Sequence, residues 1–179
     1  RRQSDVAVMV ISRNGGENIG EIPKEQADDK SRTYLDISKE EERLLKQIKT
    51  TFADGKVIVI LNTGNAMHAG FLEDENIDAA LSIGFTGQSA ARAVGMVLSG
   101  KVNPSGKLTD TYVYSPQYDP AYANTYAAEQ YTGKGHLQYS EDIYIGYKWY
   151  ETADAEGYFK NVDNIHGKGY KGVVQYPFG

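Results

Sequence analysis

The sequence predicts an α/β fold: a three-layer α/β/α sandwich with a mostly parallel sheet, followed by an irregular Tyr- and Gly-rich C-terminal segment. Three observations predict it. Val6–Ile11 and Val57–Leu61 are unbroken apolar runs of strand length, as expected of parallel strands covered on both faces. Leu44, Leu45, Ile48 and Phe52 recur between them at helical spacing, the stripe of a helix that packs on a sheet. Strand and helix then alternate once more before the composition changes, which is the order of a doubly wound layer structure.

Each element has a local reason. Val6–Ile11 opens the sheet. Ser38-Lys-Glu-Glu41 has the form of a capping box, in which hydroxyl and carboxylate satisfy each other's exposed backbone N–H groups. The helix it starts runs past Phe52, and Gly55 is expected to stop it. Val57–Leu61 is the second strand, and Ala79–Phe85 a third, weaker one. Gly87 to Gly100 carries Ala90, Ala91, Val94, Val97 and Leu98 on one side and ends in glycine, so a second helix is expected there. Residues 112–179 show little periodicity and hold 13 of the 14 tyrosines. The expectation is one sandwich domain over 1–179, with 112–179 its irregular closing segment.

Composition excludes several functions. The 179 residues hold 24 acidic against 19 basic side chains, a formal charge of −5, which argues against a nucleic-acid or anionic-membrane surface. There is no cysteine, hence no disulfide scaffold, thiolate zinc site or cysteine nucleophile. No run approaches the length of a membrane span. The opening Arg-Arg-Gln-Ser-Asp has no apolar stretch of signal-peptide type. No cofactor is expected, and the compartment, cytoplasmic or secreted, is left open.

A long polar segment beginning Ser12-Arg-Asn-Gly-Gly-Glu-Asn18 separates the first strand from the Ser38 helix. Loops at the carboxyl ends of parallel strands are where open α/β sheets bind ligands. Glu17 follows Gly15-Gly16, a backbone that turns sharply enough to present a carboxylate. It reads either as a general acid/base or as one of nine acids between Glu17 and Glu42 on a solvated surface.

Other motifs carry less. Gly167-Lys-Gly-Tyr-Lys-Gly172 spells a dinucleotide fingerprint but lacks its flanking strand and helix, and reads as a turn-rich loop. Gly87-Gln-Ser-Ala-Ala91 nearly spells a nucleophile elbow, which would make Ser89 the nucleophile of a serine hydrolase. Its other reading is a first-turn residue whose hydroxyl satisfies a helix N–H. His68, His136 and His166 form no ligand pair, so no metal site is expected. The tyrosines could stack on sugars or close a half-buried surface. Trp149 is expected to pack.

Several segments together resemble one family. Asn62-Thr-Gly-Asn65, Phe85-Thr-Gly-Gln88, Lys101-Val-Asn-Pro-Ser-Gly-Lys-Leu108, Ser140-Glu-Asp-Ile-Tyr-Ile-Gly-Tyr-Lys-Trp-Tyr150 and Tyr176-Pro-Phe-Gly179 are similar, in family order, to the α/β sandwich domain of glycoside hydrolase family 3, the β-glucosidase type. The resemblance implies a retaining glycosidase whose aspartate nucleophile sits on a TIM-like barrel and whose acid/base glutamate sits on this domain. The family glutamate follows Ser/Gly-Gly, which places it at Glu17. Arg13 and Asn14 are then loop residues, structural or near the substrate. Where family members continue Gly-Glu-Gly and an Asp-Arg pair, this chain has Asn18, Ile19, Gly20 and Glu21, so Glu21 is the rival acid/base. Ser89 and Thr109 depart from the family's glutamate and proline.

The resemblance further implies that the chain is a fragment of a larger enzyme, inactive alone, with a carbohydrate substrate and the barrel of its parent chain as partners. The other readings are a non-catalytic carbohydrate-binding or interdomain module, and the serine hydrolase built on Ser89.

Overall fold

The computed structural model describes residues 4–15, 26, 29, 31–122, 139 and 141–179. They fall into two compact units, the first formed by residues up to Met67 and Phe71–Lys107, the second by His68–Gly70 and Leu108–Gly179.

The first unit holds β1 (Val6–Arg13), α1 (Lys39–Thr51), β2 (Lys56–Thr63), β3 (Ala79–Ser82) and α2 (Ala90–Leu98). The three strands form a parallel sheet in the order β1-β2-β3, with Val6 opposite Lys56 and Ile58 opposite Ala79. The α/β sandwich class is therefore the observed one. Ile11, Val57 and Val59 are almost wholly buried and join Met9, Ile60, Leu61, Leu45 and Met67 in the core.

Local signals predicted the start of α1 and the end of α2. Ser38 accepts from the Glu41 N–H while the Glu41 carboxylate accepts from the Ser38 N–H, a complete capping box. Gly100 ends α2 with φ of +72°, and the Lys101 N–H donates to the Met96 carbonyl and the Gly100 N–H to the Val97 carbonyl. That pair is a Schellman motif, which a left-handed glycine completes without a Cβ penalty.

Three expectations need correction. Val6, Val8 and Val10 are 42, 44 and 56% exposed. Among the described residues β1 is thus covered on one face only: its Met9–Ile11 side is buried, and nothing described packs over the valine side. Gly55 does not end α1: the helix stops at Phe52, and Gly55 instead donates to the Phe52 carbonyl in the turn that leads to β2. Ser89 occupies the N-cap position of α2, but its side chain makes no capping bond.

In the second unit, β4 (Tyr112–Val113) pairs antiparallel with β7 (Val174–Tyr176), and β5 (Asp163–Asn164) with β6 (Gly167–Lys168). The helix α3 (Tyr147–Ala155) packs Tyr150 and Ala153 with Phe159, Val173 and Val174. Periodicity is faint because these elements are two to nine residues long. Trp149 packs beside this core and donates its indole N–H to the Tyr118 carbonyl at 2.6 Å. The Gly167–Gly172 spelling is a hairpin strand running into a 3-10 turn. A Cβ on Gly172 would lie 2.6 Å from the Gly167 carbonyl oxygen, so packing explains the glycine there.

Surface ion pairs of the first unit hold two of its carboxyls well below the ordinary carboxylate range. Hydrogen bonds from Lys46 and Arg32 hold the Glu42 carboxyl at about 2. Those from Lys49 and Asn76 do the same for Asp74, also at about 2. Both fall below the unfolded values of roughly 4.3 and 3.9, so their contribution is complete above those values and is lost as pH falls toward 2. The urea midpoint is expected to be flat above about pH 5 and to drop between about pH 4.5 and 2. The double variant Glu42→Gln/Asp74→Asn should flatten that drop; a midpoint that falls as steeply without the two carboxylates would assign it elsewhere.

Candidate active site

The three parallel strands end together at one edge of the sheet, and side chains cross-link their ends. Asn62, near the end of β2, donates its Nδ2 to the Gly84 carbonyl beyond β3 at 3.0 Å, and Ser12 of β1 reaches the Asn62 Oδ1 at 3.5 Å. Thr63 donates its hydroxyl to the Asn65 carbonyl at 2.9 Å, tightening the turn that leaves β2. Polar residues at the ends of otherwise apolar strands thus tie the outgoing loops to one another.

Arg13 ends β1 and fixes the loop that leads into α1. Its Nη1 and Nη2 each donate to one Glu41 carboxylate oxygen at 2.7 Å, a bidentate pair. Its Nε donates to the Tyr34 carbonyl at 2.9 Å, and the other two N–H groups to the Ser12 and Asp36 carbonyls at 2.8 Å. All five guanidinium donors are engaged, and the side chain is 11% exposed. Burial pushes the Glu41 carboxyl up, but the hydrogen bonds from Arg13 and Ser38 outweigh it and hold its pKa below the ordinary value. The same loop is tied to itself by the Gln26 amide on the Thr33 and Asp36 carbonyls, and by Arg32 on the Ile37 carbonyl and Glu42.

Phe85 closes the edge. A methyl placed on Gly64 would stand 2.1 Å from its Cε2, and one on Gly15 2.9 Å from its Cζ, so the ring lies against the backbone that leaves β1 and β2.

The sequence-derived candidates fall out as follows. Arg13 lies in the clamp just described, and Asn14 is exposed immediately after β1. Glu17 and Glu21 lie outside the described residues, as does His136. Ser89 starts α2, and of the described histidines neither His68 nor His166 belongs to its unit. His166 stacks on Tyr114, ring centroids 3.7 Å apart. Among the described residues no group of three acidic or histidine side chains converges as a metal site, and no helix is long and apolar enough to cross a membrane. Sequence reasoning missed Glu41 as the partner of Arg13 and Phe85 as a member of the edge. Glu41 was visible only as a cap, and Phe85 was read as the last residue of a strand that in fact ends at Ser82, three residues before it.

The sequence model of the glycosyl hydrolase family 3 C-terminal domain matches residues 1–147. The chain belongs to this family. A β-glucosidase of Ruminococcus albus is 29% identical over 149 residues, 83% of this chain and 14% of its own length. β-Glucosidase A of Butyrivibrio fibrisolvens is 30% identical over 98% of this chain and 21% of its own length. An exo-α-(1→6)-L-arabinopyranosidase of Bifidobacterium breve is 31% identical over 77% of this chain and 16% of its own length. The chain thus spans between a seventh and about a fifth of these family 3 relatives. It is a glycoside hydrolase module of mixed α/β architecture.

Proposed function

We propose that this module is the acid/base-bearing domain of a retaining β-glycosidase that hydrolyses terminal β-linked sugars, with Glu17 as proton donor. The nucleophilic carboxylate lies on a barrel domain outside these 179 residues. The observation that carries the reading is the position of Gly15 at the edge where β1, β2 and β3 all end, in contact range of Phe85 and Asn65. Glu17 follows two residues later, a chain distance of at most about 7 Å. Arg13, just before, holds the base of that segment rigidly, as a positioned proton donor requires.

Retaining glycosidases place two carboxyl groups about 5–5.5 Å apart. Glu17 protonates the departing glycosidic oxygen while the barrel carboxylate attacks the anomeric carbon. It then takes a proton from the water that releases the sugar, so the anomeric configuration is kept. An acid that works near neutral pH needs a raised pKa. A second carboxylate close by and burial beneath the barrel both act in that direction.

The test compares residues 1–179 alone with the longer polypeptide that adds the barrel, on aryl and alkyl β-glucosides. The expected result is hydrolysis by the longer polypeptide, with retention of configuration in the first product seen by NMR, and none by 1–179. Turnover by the pure 179-residue chain, or an inverted first product, would overturn the proposal. Tight glucoside binding by the isolated chain without turnover in the longer one would favour a non-catalytic binding module.

A further inference from the structure

Asn14 and Gly15, which follow β1, form the one Asn-Gly pair in the sequence. Asn14 is exposed, and among the described residues neither its carboxamide nor the Gly15 N–H has a hydrogen-bond partner. Other asparagines are protected, each by a different feature. The Asn62 amide is spent on the Gly84 carbonyl, that of Asn76 on the Asp74 carboxylate and that of Asn164 on the Gly172 carbonyl. Asn103 and Asn161 are exposed. Pro104 after the first has no N–H to give up, and the branched Cβ of Val162 crowds the nitrogen after the second. The Asp54-Gly55 pair also offers a nitrogen with no Cβ beside it, yet the Gly55 N–H is held on the Phe52 carbonyl at 2.8 Å. Among the described residues, Asn14 alone sets an open carboxamide beside an uncrowded and unengaged main-chain nitrogen.

We infer that Asn14 is a site of spontaneous main-chain modification, at which the chain converts its own asparagine to isoaspartate and aspartate. Asparagine is a thermolabile residue, and water is the only co-reactant. The Gly15 nitrogen loses its proton and attacks the carbonyl carbon of the Asn14 side chain. A C–N bond forms, the amide nitrogen leaves as ammonia, and a cyclic imide results. Water then opens the ring at either carbonyl. Opening at the main-chain carbonyl leaves residue 14 linked through its side chain, an isoaspartate; opening at the other leaves an aspartate. Both products set a new carboxylate after Arg13, whose guanidinium is already committed to Glu41 and three carbonyls. Isoaspartate also inserts one more carbon, a bond of roughly 1.5 Å, into the main chain before Gly15. There is no slack for it, since a Cβ on Gly15 would already stand 2.9 Å from the Phe85 Cζ. The edge where the strands end must rearrange, and with it the start of the segment that leaves β1.

The experiment ages the full-length polypeptide that contains this chain at physiological temperature and neutral pH. Peptide mapping by mass spectrometry locates each lost amide, and isoaspartyl methyltransferase with a labelled methyl donor marks isoaspartate. Both products are expected at position 14, with none at Asn103 or Asn161. Asn14→Gln should abolish the label on that peptide, because its larger ring closes poorly. A segment that opens at little free-energy cost should convert in the folded protein within about tenfold of its rate in urea. An Asn14 amide that survives in the folded protein while it is lost in urea would overturn the proposal. Aspartate without isoaspartate would overturn it too, since that marks direct hydrolysis with no imide. Activity is followed on the same samples, and its expected change rests on the acid/base reading of the segment after Asn14. There kcat should fall in step with the isoaspartate fraction, while Asn14→Gln holds its own starting value. Isoaspartate that accumulates with no loss of activity would leave the modification standing and count against the acid/base reading instead.

Discussion

In the full-length glycosidase, Glu17→Gln should reduce kcat/KM for alkyl and disaccharide substrates about 10² to 10⁴-fold, the usual contribution of a positioned proton donor. Aryl glycosides with strongly acidic leaving groups should lose far less in the bond-cleaving step, because a good leaving group departs with little protonation. Their turnover is then limited by release of the glycosyl-enzyme, the step in which the proposal makes Glu17 the base, so kcat should fall while KM falls with it. The basic limb of the pH profile of kcat/KM should also disappear, since that limb reports loss of the acid's proton. Steady-state kinetics over a graded series of aryl leaving groups measures all three effects. Loss that is equal across the series would remove Glu17 from the role. The same graded pattern appearing in Glu21→Gln instead would transfer the role to Glu21.

The second large effect is on stability. Arg13→Ala should lower the unfolding free energy of the first unit by about 2–4 kcal/mol, because it strips a partly buried carboxylate of its bidentate partner and takes a donor from three backbone carbonyls, of which Asp36's keeps the Gln26 amide. The pair is not fully buried, Arg13 being 11% and Glu41 23% exposed, so the lower half of that range is expected. Arg13→Lys keeps the charge but cannot make a bidentate pair and also reach three carbonyls, so it should recover less than half. In a double-mutant cycle, Arg13→Ala/Glu41→Gln should be clearly less destabilised than the sum of the single variants. Urea unfolding followed by circular dichroism gives these numbers. Strict additivity would mean that the two side chains do not act together.

What was legible in the sequence was local. The Ser38–Glu41 capping box and the Gly100 terminator each involve residues within a few positions of one another, so composition and spacing reveal them. The apolar runs of β1 and β2 revealed the parallel sheet for a similar reason. Whether another layer covers a given face of a strand is not local, and so the open valine face of β1 was not visible. Arg13 and Glu41 are 28 residues apart, and only the parallel crossover from β1 to α1 brings them together. Phe85 meets Gly15 and Gly64 from the loop beyond the third strand, a contact that depends on register across the whole sheet. The core of Tyr150, Phe159 and Val173 was hidden because its elements are too short to show a period. The family motifs make Glu17 the acid/base candidate through residue order alone, and that residue lies outside the described ones.

Glu41 holds the Ser38 backbone N–H and the Arg13 guanidinium at once. Fraying of the first turn of α1 and release of the connection at Tyr34 and Asp36 are therefore a single opening event rather than two. Amide protons at both places should exchange with deuterium on one common clock, and a lesion at either should quicken both.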